Sequence, residues 1–153
     1  MITKQIKEKP RDEPTVGLFV DGPNMLRKEF MIDLRELRRR AQKYGRVVIS
    51  KVFINQFAPE KLIEAIINEG YKCEMILAVK EDDANDVDVA LAVAATEVAV
   101  NRSVEFIAVA SRDADFLPVI QKAKEFGRKV IIFGAEPGFS SSLQNAADFV
   151  EMM

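Results

Sequence analysis

"VGLFVDGPN", residues 16–24, passes from five uncharged residues into an aspartate, a glycine, a proline and an asparagine. The apolar run has the length of a buried strand, and its end carries turn chemistry. The next stretch, "NMLRKEFMIDLRELRRRAQKYG" (24–45), sets Met25, Leu26, Phe30, Leu34, Leu37 and Ala41 at helical spacing and closes on Gly45. That strand-then-helix unit recurs along the chain. "RVVISKVFI" (46–54), "KCEMILAV" (72–79), "VEFIAVA" (104–110) and "KVIIFG" (129–134) read as strands. "APEKLIEAIINEG" (58–70), "DVDVALAVAATEVAV" (86–100) and "DADFLPVIQKAKEFG" (113–127) read as helices. "SSSLQNAADFV" (140–150) predicts a short helix with a serine start and a last strand stub.

Strands separated by helices pair in parallel through right-handed crossovers. Their apolar runs are continuous rather than alternating, as both-sided burial requires. The expected fold class is therefore α/β: a doubly wound, three-layer arrangement around a mostly parallel sheet of about five strands. Residues 1–14 mix charges with prolines and predict a flexible charged tail, leaving 15–153 as a single domain.

Composition narrows the chemistry. The chain has 153 residues, 48% of them hydrophobic, a net charge of −2, one cysteine and no histidine. Without histidine there is no Ser-His-Asp triad and no histidine zinc site; with Cys73 alone there is no intrachain disulfide and no cysteine cluster. Catalysis, if any, falls to carboxylates, lysines, hydroxyls or a bound ion. A reducing, cytoplasmic setting is the default expectation, with no membrane partner, since no run approaches the ~18 uncharged residues of a span. Nucleic-acid contact requires a local positive face.

In doubly wound sheets, ligands bind outside the carboxyl ends of the strands. Acidic groups cluster in those positions. Asp21 and Asn24 follow the first strand, and Ser111, Arg112, Asp113 and Asp115 follow "VEFIAVA". Asp82, Asp83, Asn85, Asp86 and Asp88 lead into the alanine-rich helix. Each acid singly has a local explanation: Asp21 as a turn or cap residue, Asp86 and Asp88 as complements of the helix dipole, Asp113 or Asp115 as a cap. Together, carboxylates converging on one edge repel one another, and an oxygen-loving cation such as Mg²⁺ or Mn²⁺ offsets that repulsion. Such an ion binds a phosphodiester and acidifies a water without any histidine.

"FVDGPN" (19–24), "NDVDVALAVAA" (85–95) and "ASRDADFLPVI" (110–120) resemble the three signature blocks of NYN-domain proteins of the PIN-like nuclease superfamily, in order. The likeness runs from about Val16 to Val150 and extends to the LabA-like, single-domain prokaryotic members. It implies a PIN-like fold and Mg²⁺- or Mn²⁺-dependent RNA cleavage. Asp21, Asp88, Asp113 and Asp115 would be its metal-binding, catalytic acids. Asn24 and Ser111 match the asparagine of the first block and the serine of the third. Three positions depart from the pattern: Asn85 stands where relatives often carry lysine, Ala94 where many carry a further aspartate, and Arg112 where glycine is usual.

The expected function is thus a metal-dependent ribonuclease, with RNA as partner and a homo-oligomer as a further possibility. Asn24, Arg27, Lys28, Ser111 and Arg112 are the expected substrate contacts, Arg27 and Lys28 guiding the backbone. Asn24 has two other readings, as a hydrogen-bond partner of a carboxylate and as a helix cap. Arg112 either crowds the site or gives a phosphate a cationic contact. Arg38, Arg39 and Arg40 read as a solvated helix face, Phe57 and Phe139 as packing residues with base stacking as the minor alternative, and Ser140 to Ser142 as a cap. The first rival is an RNA-binding or scaffold module without turnover, favoured by Ala94 and Arg112. The second is an Asp-based phosphatase or receiver-type switch, disfavoured by Pro23 two residues after Asp21. No G-x-G-x-x-G comes after the first strand, which removes a dinucleotide site.

Overall fold

The structure is a computed structural model that describes residues 13–26, 32–81, 85–101 and 103–153. The N-terminal tail up to residue 12 lies outside them, as do Arg27, Lys28, Asp82 and Asp83. Near the start of the described residues, the Pro14 carbonyl accepts from Arg46 N–H at 2.8 Å.

Six strands form one sheet: β1 (Thr15–Asp21), β2 (Arg46–Asn55), β3 (Lys72–Ile76), β4 (Phe106–Ala110), β5 (Lys129–Gly134) and β6 (Phe149–Met152). Every pairing is parallel, in the order β3-β2-β1-β4-β5-β6. The chain first walks outward from β1 to β3, then returns to place β4 on the other side of β1 and walks outward to β6. Reversing the walk while keeping right-handed crossovers puts the helices on opposite faces. Period-2 alternation confirms two buried faces: Val16, Leu18 and Val20 of β1 enter one core and Phe19 the other. Ile131 and Phe133 of β5 likewise oppose Val130 and Ile132.

The first core is closed by α2 (Leu34–Ala41), through Leu34, Leu37 and Ala41, and by α3 (Glu60–Asn68), through Ile66. The second is closed by α4 (Asn85–Val100), through Val87, Leu91, Ala95 and Ala99 at four-residue spacing. Ala94 packs against the same core from one side. A 3₁₀ turn (Ala114–Phe116), α5 (Leu117–Glu125) and α6 (Ser141–Ala146) complete that layer. Ser140 Oγ accepts from Leu143 N–H and caps α6, as expected of the serine run. No helix among the described residues is long and apolar enough to cross a membrane.

Two expectations are corrected. The single helix over 24–45 is broken into a four-residue turn, α1 (Gly22–Met25), and α2. Asp33 starts α2 afresh, its carboxylate accepting from Arg35 N–H at 2.9 Å and Glu36 N–H at 3.1 Å. An Asp-x-x-Glu start outweighed the continuous apolar spacing. The last strand stub is a full sixth strand, hydrogen-bonded along β5 from Ile131 to Gly134. Being short and on the edge, it has little of the apolar run that marks the buried strands.

Candidate functional site

The turn of the walk lies between β1 and β4, so their carboxyl ends leave a crevice between them. Asp21, the last residue of β1, occupies it and is 1% exposed. One carboxylate oxygen accepts from Asn24 N–H at 3.3 Å, which makes Asp21 the cap of α1; the other accepts from Ser111 Oγ at 3.0 Å. Ser111 Oγ in turn accepts from Asp113 N–H at 3.1 Å. Asp113 Oδ1 accepts from Asp115 N–H at 2.9 Å, so Asp113 also caps the 3₁₀ turn. Asp88 reaches the same place from the first turn of α4, half-buried one residue after the core residue Val87.

Asp88, Asp113 and Asp115 each bring one carboxylate oxygen to within 4.8 Å of the others. Asp21 lies behind them, close enough that its charge raises the Asp88 pKa and the Asp113 charge raises its own. The donors are all hard oxygens, and two of these acids resist ionisation in the absence of a cation. Both features fit a divalent ion of the Mg²⁺ or Mn²⁺ kind.

Gly22 fixes where the first tip goes. A Cβ there would stand 2.5 Å from the Phe53 carbonyl oxygen and 2.7 Å from Ile54 Cγ2. Only glycine lets the chain leave β1 this close to β2.

The sequence pattern of the NYN domain family matches residues 15–152. The chain belongs to the NYN domain family. That family is part of the PIN-like superfamily, in which nucleases predominate. The NYN domain here is 51% identical, over 152 residues, to an uncharacterized protein of Methanocaldococcus jannaschii. The match covers 97% of this chain and spans 60% of that relative's length. A crystal structure of a protein of unknown function from Vibrio parahaemolyticus superposes with a TM-score of 0.79 at 20% identity. It covers 95% of this chain and 96% of the other, a likeness of fold.

In this NYN domain, burial is the largest influence on the carboxyls of Asp21 and Asp88. It pushes the Asp21 carboxyl up to about 6, against the lowering effect of the Ser111 and Asn24 hydrogen bonds. It pushes Asp88 up to about 7, aided by the charges of Asp21, Asp113 and Asp115. A carboxyl raised above its unfolded value holds protons more tightly when folded. Stability is therefore complete below the ordinary value of 3.8 and is lost as pH rises through 6 and 7. For the nearly wholly buried Asp21 the loss is roughly 3 kcal/mol; Asp88, better solvated, adds a screened and smaller part. We expect the melting temperature of metal-free wild type, relative to Asp21→Asn, to fall between pH 4 and 7. Saturating Mg²⁺ should cancel that relative fall, because ligating carboxylates are ionised. Parallel melting curves for the two proteins across that range would disprove it.

The expected substrate contacts are distributed differently. Ser111 is fully buried and spends its hydroxyl on Asp21. Arg112 is 8% exposed, and its side chain turns inward. Its Nε donates to Asn24 Oδ1 at 3.1 Å, Nη2 to the Asn24 carbonyl at 3.3 Å, and Nη1 to the Pro137 carbonyl. Arg112 N–H adds a bond to the same Asn24 Oδ1 at 3.0 Å. Arg112 thus pins the β1 tip to the loop after β5, and its charge offsets a small part of the rise in the Asp21 pKa. Asn24's side-chain oxygen serves this pin, not a carboxylate or the helix start. Arg38, Arg39 and Arg40 are more than a solvated face. Arg38 donates to Ser50 and covers the Tyr71 ring at 4.5 Å, Arg39 and Arg40 pair with Glu36, and Arg40 also bonds the Met152 carbonyl. Phe139 is core, its ring lying where a Cβ on Gly134 would be.

A cleft of about 880 Å³ opens from the carboxylates toward the end of β2 and the start of α3. Asp21, Asp88 and Asp113 line one part, and Phe57, Leu62 and Lys61 another. Sequence reading passed over Asn55 and Lys61. The available signal was their position just after a strand and at a helix start.

Proposed function

We propose that this NYN domain is a metal-dependent ribonuclease. The observation carrying this reading is the convergence of four carboxylates from β1, α4 and the β4 tip on the sheet's switch point, two of them held away from ready ionisation. Asp88, Asp113 and Asp115 would hold the ion, with Asp21 as a fourth, inner acid. When bound, Mg²⁺ or Mn²⁺ supplies Lewis-acid polarisation of a phosphate and lowers the pKa of a coordinated water.

The chain's own residues do the positioning. Ser111 holds Asp21 in one orientation by donating to it and fixes Asp113 by accepting its N–H. Arg112 and Asn24 lock two strand tips together, so the acids on them keep their spacing. Arg27 and Lys28 remain proposed guides of the RNA backbone. A phosphate contact by Asn24 or Arg112 remains proposed too, through groups not spent inside the protein; Ser111, wholly buried with its hydroxyl and N–H both bonded, would reach a phosphate only by giving up one of those bonds. A silent RNA binder is the second reading, favoured by Ala94, which packs on the core where a further acid would stand. An Asp-based phosphatase is disfavoured by the double hydrogen bonding of Asp21 deep in the fold.

The test is cleavage of labelled RNA by purified protein in a panel of divalent ions, beside Asp113→Asn. A nuclease gives products in Mg²⁺ or Mn²⁺, none in EDTA, and a loss of at least about a hundredfold in the variant. RNA binding without products in any metal selects the silent binder.

A further inference from the structure

The cleft beside the carboxylates holds two features that the metal reading does not use. Phe57 is 43% exposed although it lines a concave surface with Leu62 and Pro59. Asn55, by contrast, is 7% exposed and lines the same cleft. Its Oδ1 accepts from Phe57 N–H at 2.9 Å. Its Nδ2 has no hydrogen-bond partner among the described residues. Nδ2 keeps some accessible surface although the residue as a whole is nearly buried, so the donor meets the open space of the cleft, where a ligand acceptor can take it up.

The wall is built to stay in place. Gln56 grips the Ala78 peptide from both sides, Nε2 donating to its carbonyl at 2.6 Å and Oε1 accepting its N–H at 2.7 Å. This ties the segment after β3 to the segment after β2. The Asn55 side chain fixes the Phe57 backbone, so the ring is presented on a rigid turn. Lys61, at the start of α3, also lines the cleft and has no ion pair or hydrogen bond among the described residues.

We propose that Asn55, Phe57 and Lys61 form a nucleotide subsite: one unpaired RNA base stacks on Phe57, the Asn55 amide donates to an acceptor on that base, and Lys61 meets the adjoining phosphate. This rests on the ribonuclease reading for the identity of the polymer, and it adds how that polymer is held. An aromatic face, and a donor and a cation both without a partner among the described residues, match in one cleft a base, a base carbonyl and a phosphate. A paired base cannot reach the ring without leaving its stack, so the subsite selects single strands.

Binding measured in EDTA separates this from turnover. The probe is a six-residue oligoribonucleotide carrying one 2-aminopurine, alone and annealed to its complement, titrated into the full chain at low salt. Wild type should bind the single strand at least tenfold more tightly than the duplex and quench the fluorophore. Phe57→Ala should weaken single-strand binding about tenfold and abolish the quench, and Phe57→Tyr should restore both. Lys61→Ala should lower the salt slope by about one ion. Asn55→Asp, which keeps the acceptor for Phe57 N–H, should weaken binding beyond Lys61→Ala. Binding by Phe57→Ala within twofold of wild type, equal affinity for duplex, or no binding by wild type each overturns the subsite. The first two do so even if metal-dependent cleavage is found. Conversely, Phe57-dependent binding without cleavage keeps the subsite and removes the nuclease.

Discussion

Asp21→Asn is expected to abolish RNA cleavage and, in the absence of metal, to raise the melting temperature. The two effects share a cause. Asp21 is buried at a strand end among like charges, and its folded pKa of about 6 measures how poorly the fold tolerates its ionised form. Asparagine keeps the shape and the acceptor for Asn24 N–H. Its amide donates to Ser111 Oγ where the carboxylate accepted, so that hydroxyl must turn to another acceptor and part of the gain is lost. The shift less that cost leaves a net gain of about 1–3 kcal/mol at pH 7.5. For a domain of this size it corresponds to several degrees, at roughly 2–4 °C per kcal/mol. Cleavage should fall at least about a hundredfold while RNA affinity holds or rises, because charge facing the phosphates is removed. Undiminished cleavage would place the activity elsewhere, and a lower melting temperature would make Asp21 a stabilising cap rather than a strained functional acid.

Millimolar Mn²⁺ or Mg²⁺ should stabilise the wild type and fail to stabilise Asp88→Asn, Asp113→Asn or Asp115→Asn. An ion that binds only the folded chain contributes about 2.7 kcal/mol at a hundred times its Kd. The three oxygens within 4.8 Å of one another are the geometric basis for expecting it. Asp113→Asn is the most informative of the three, because asparagine retains the acceptor for Asp115 N–H and so preserves the 3₁₀ turn. Calorimetry and thermal melts in EDTA and in metal would measure both sides. A metal shift that persists in all three variants would move the ion away from this cluster. If wild type shows no shift at all, the enzyme reading loses its basis.

Several readings taken from the sequence hold because they depend on local pattern. Strand–helix alternation implied a three-layer α/β fold with a parallel sheet, and the six-stranded structure has it. Asp21 falls at the end of a strand, Asp113 and Asp115 just after one, and Asp88 near a helix start, as their spacing from the apolar runs required. A misreading occurred where local signals compete. Met25, Leu26 and Phe30 continued the period of Leu34, Leu37 and Ala41, and nothing in that period showed that Asp33 would start a separate helix. For Arg112 the sequence left two readings open, crowding of the site and a cationic contact to phosphate. Its partners inside the protein, Asn24 and Pro137, lie 88 and 25 residues away, beyond the reach of local pattern.

By itself the sequence determined the chemistry available: no histidine, one cysteine, aspartates at element ends, and apolar runs of strand length with both faces buried. Hydrophobic period and turn residues act over a few positions and are written in the chain. Only the tertiary structure decided what those residues meet. It put β4 beside β1, so that Ser111 reaches Asp21 across 90 residues. It turned Arg112 inward, and it left the Asn55 amide nitrogen without a partner among the described residues, in the cleft beside Phe57. Strand order is set by which crossover buries the most apolar surface over the whole sheet. Burial, and with it the raised pKa of Asp21 and Asp88, exists only once both helix layers have closed.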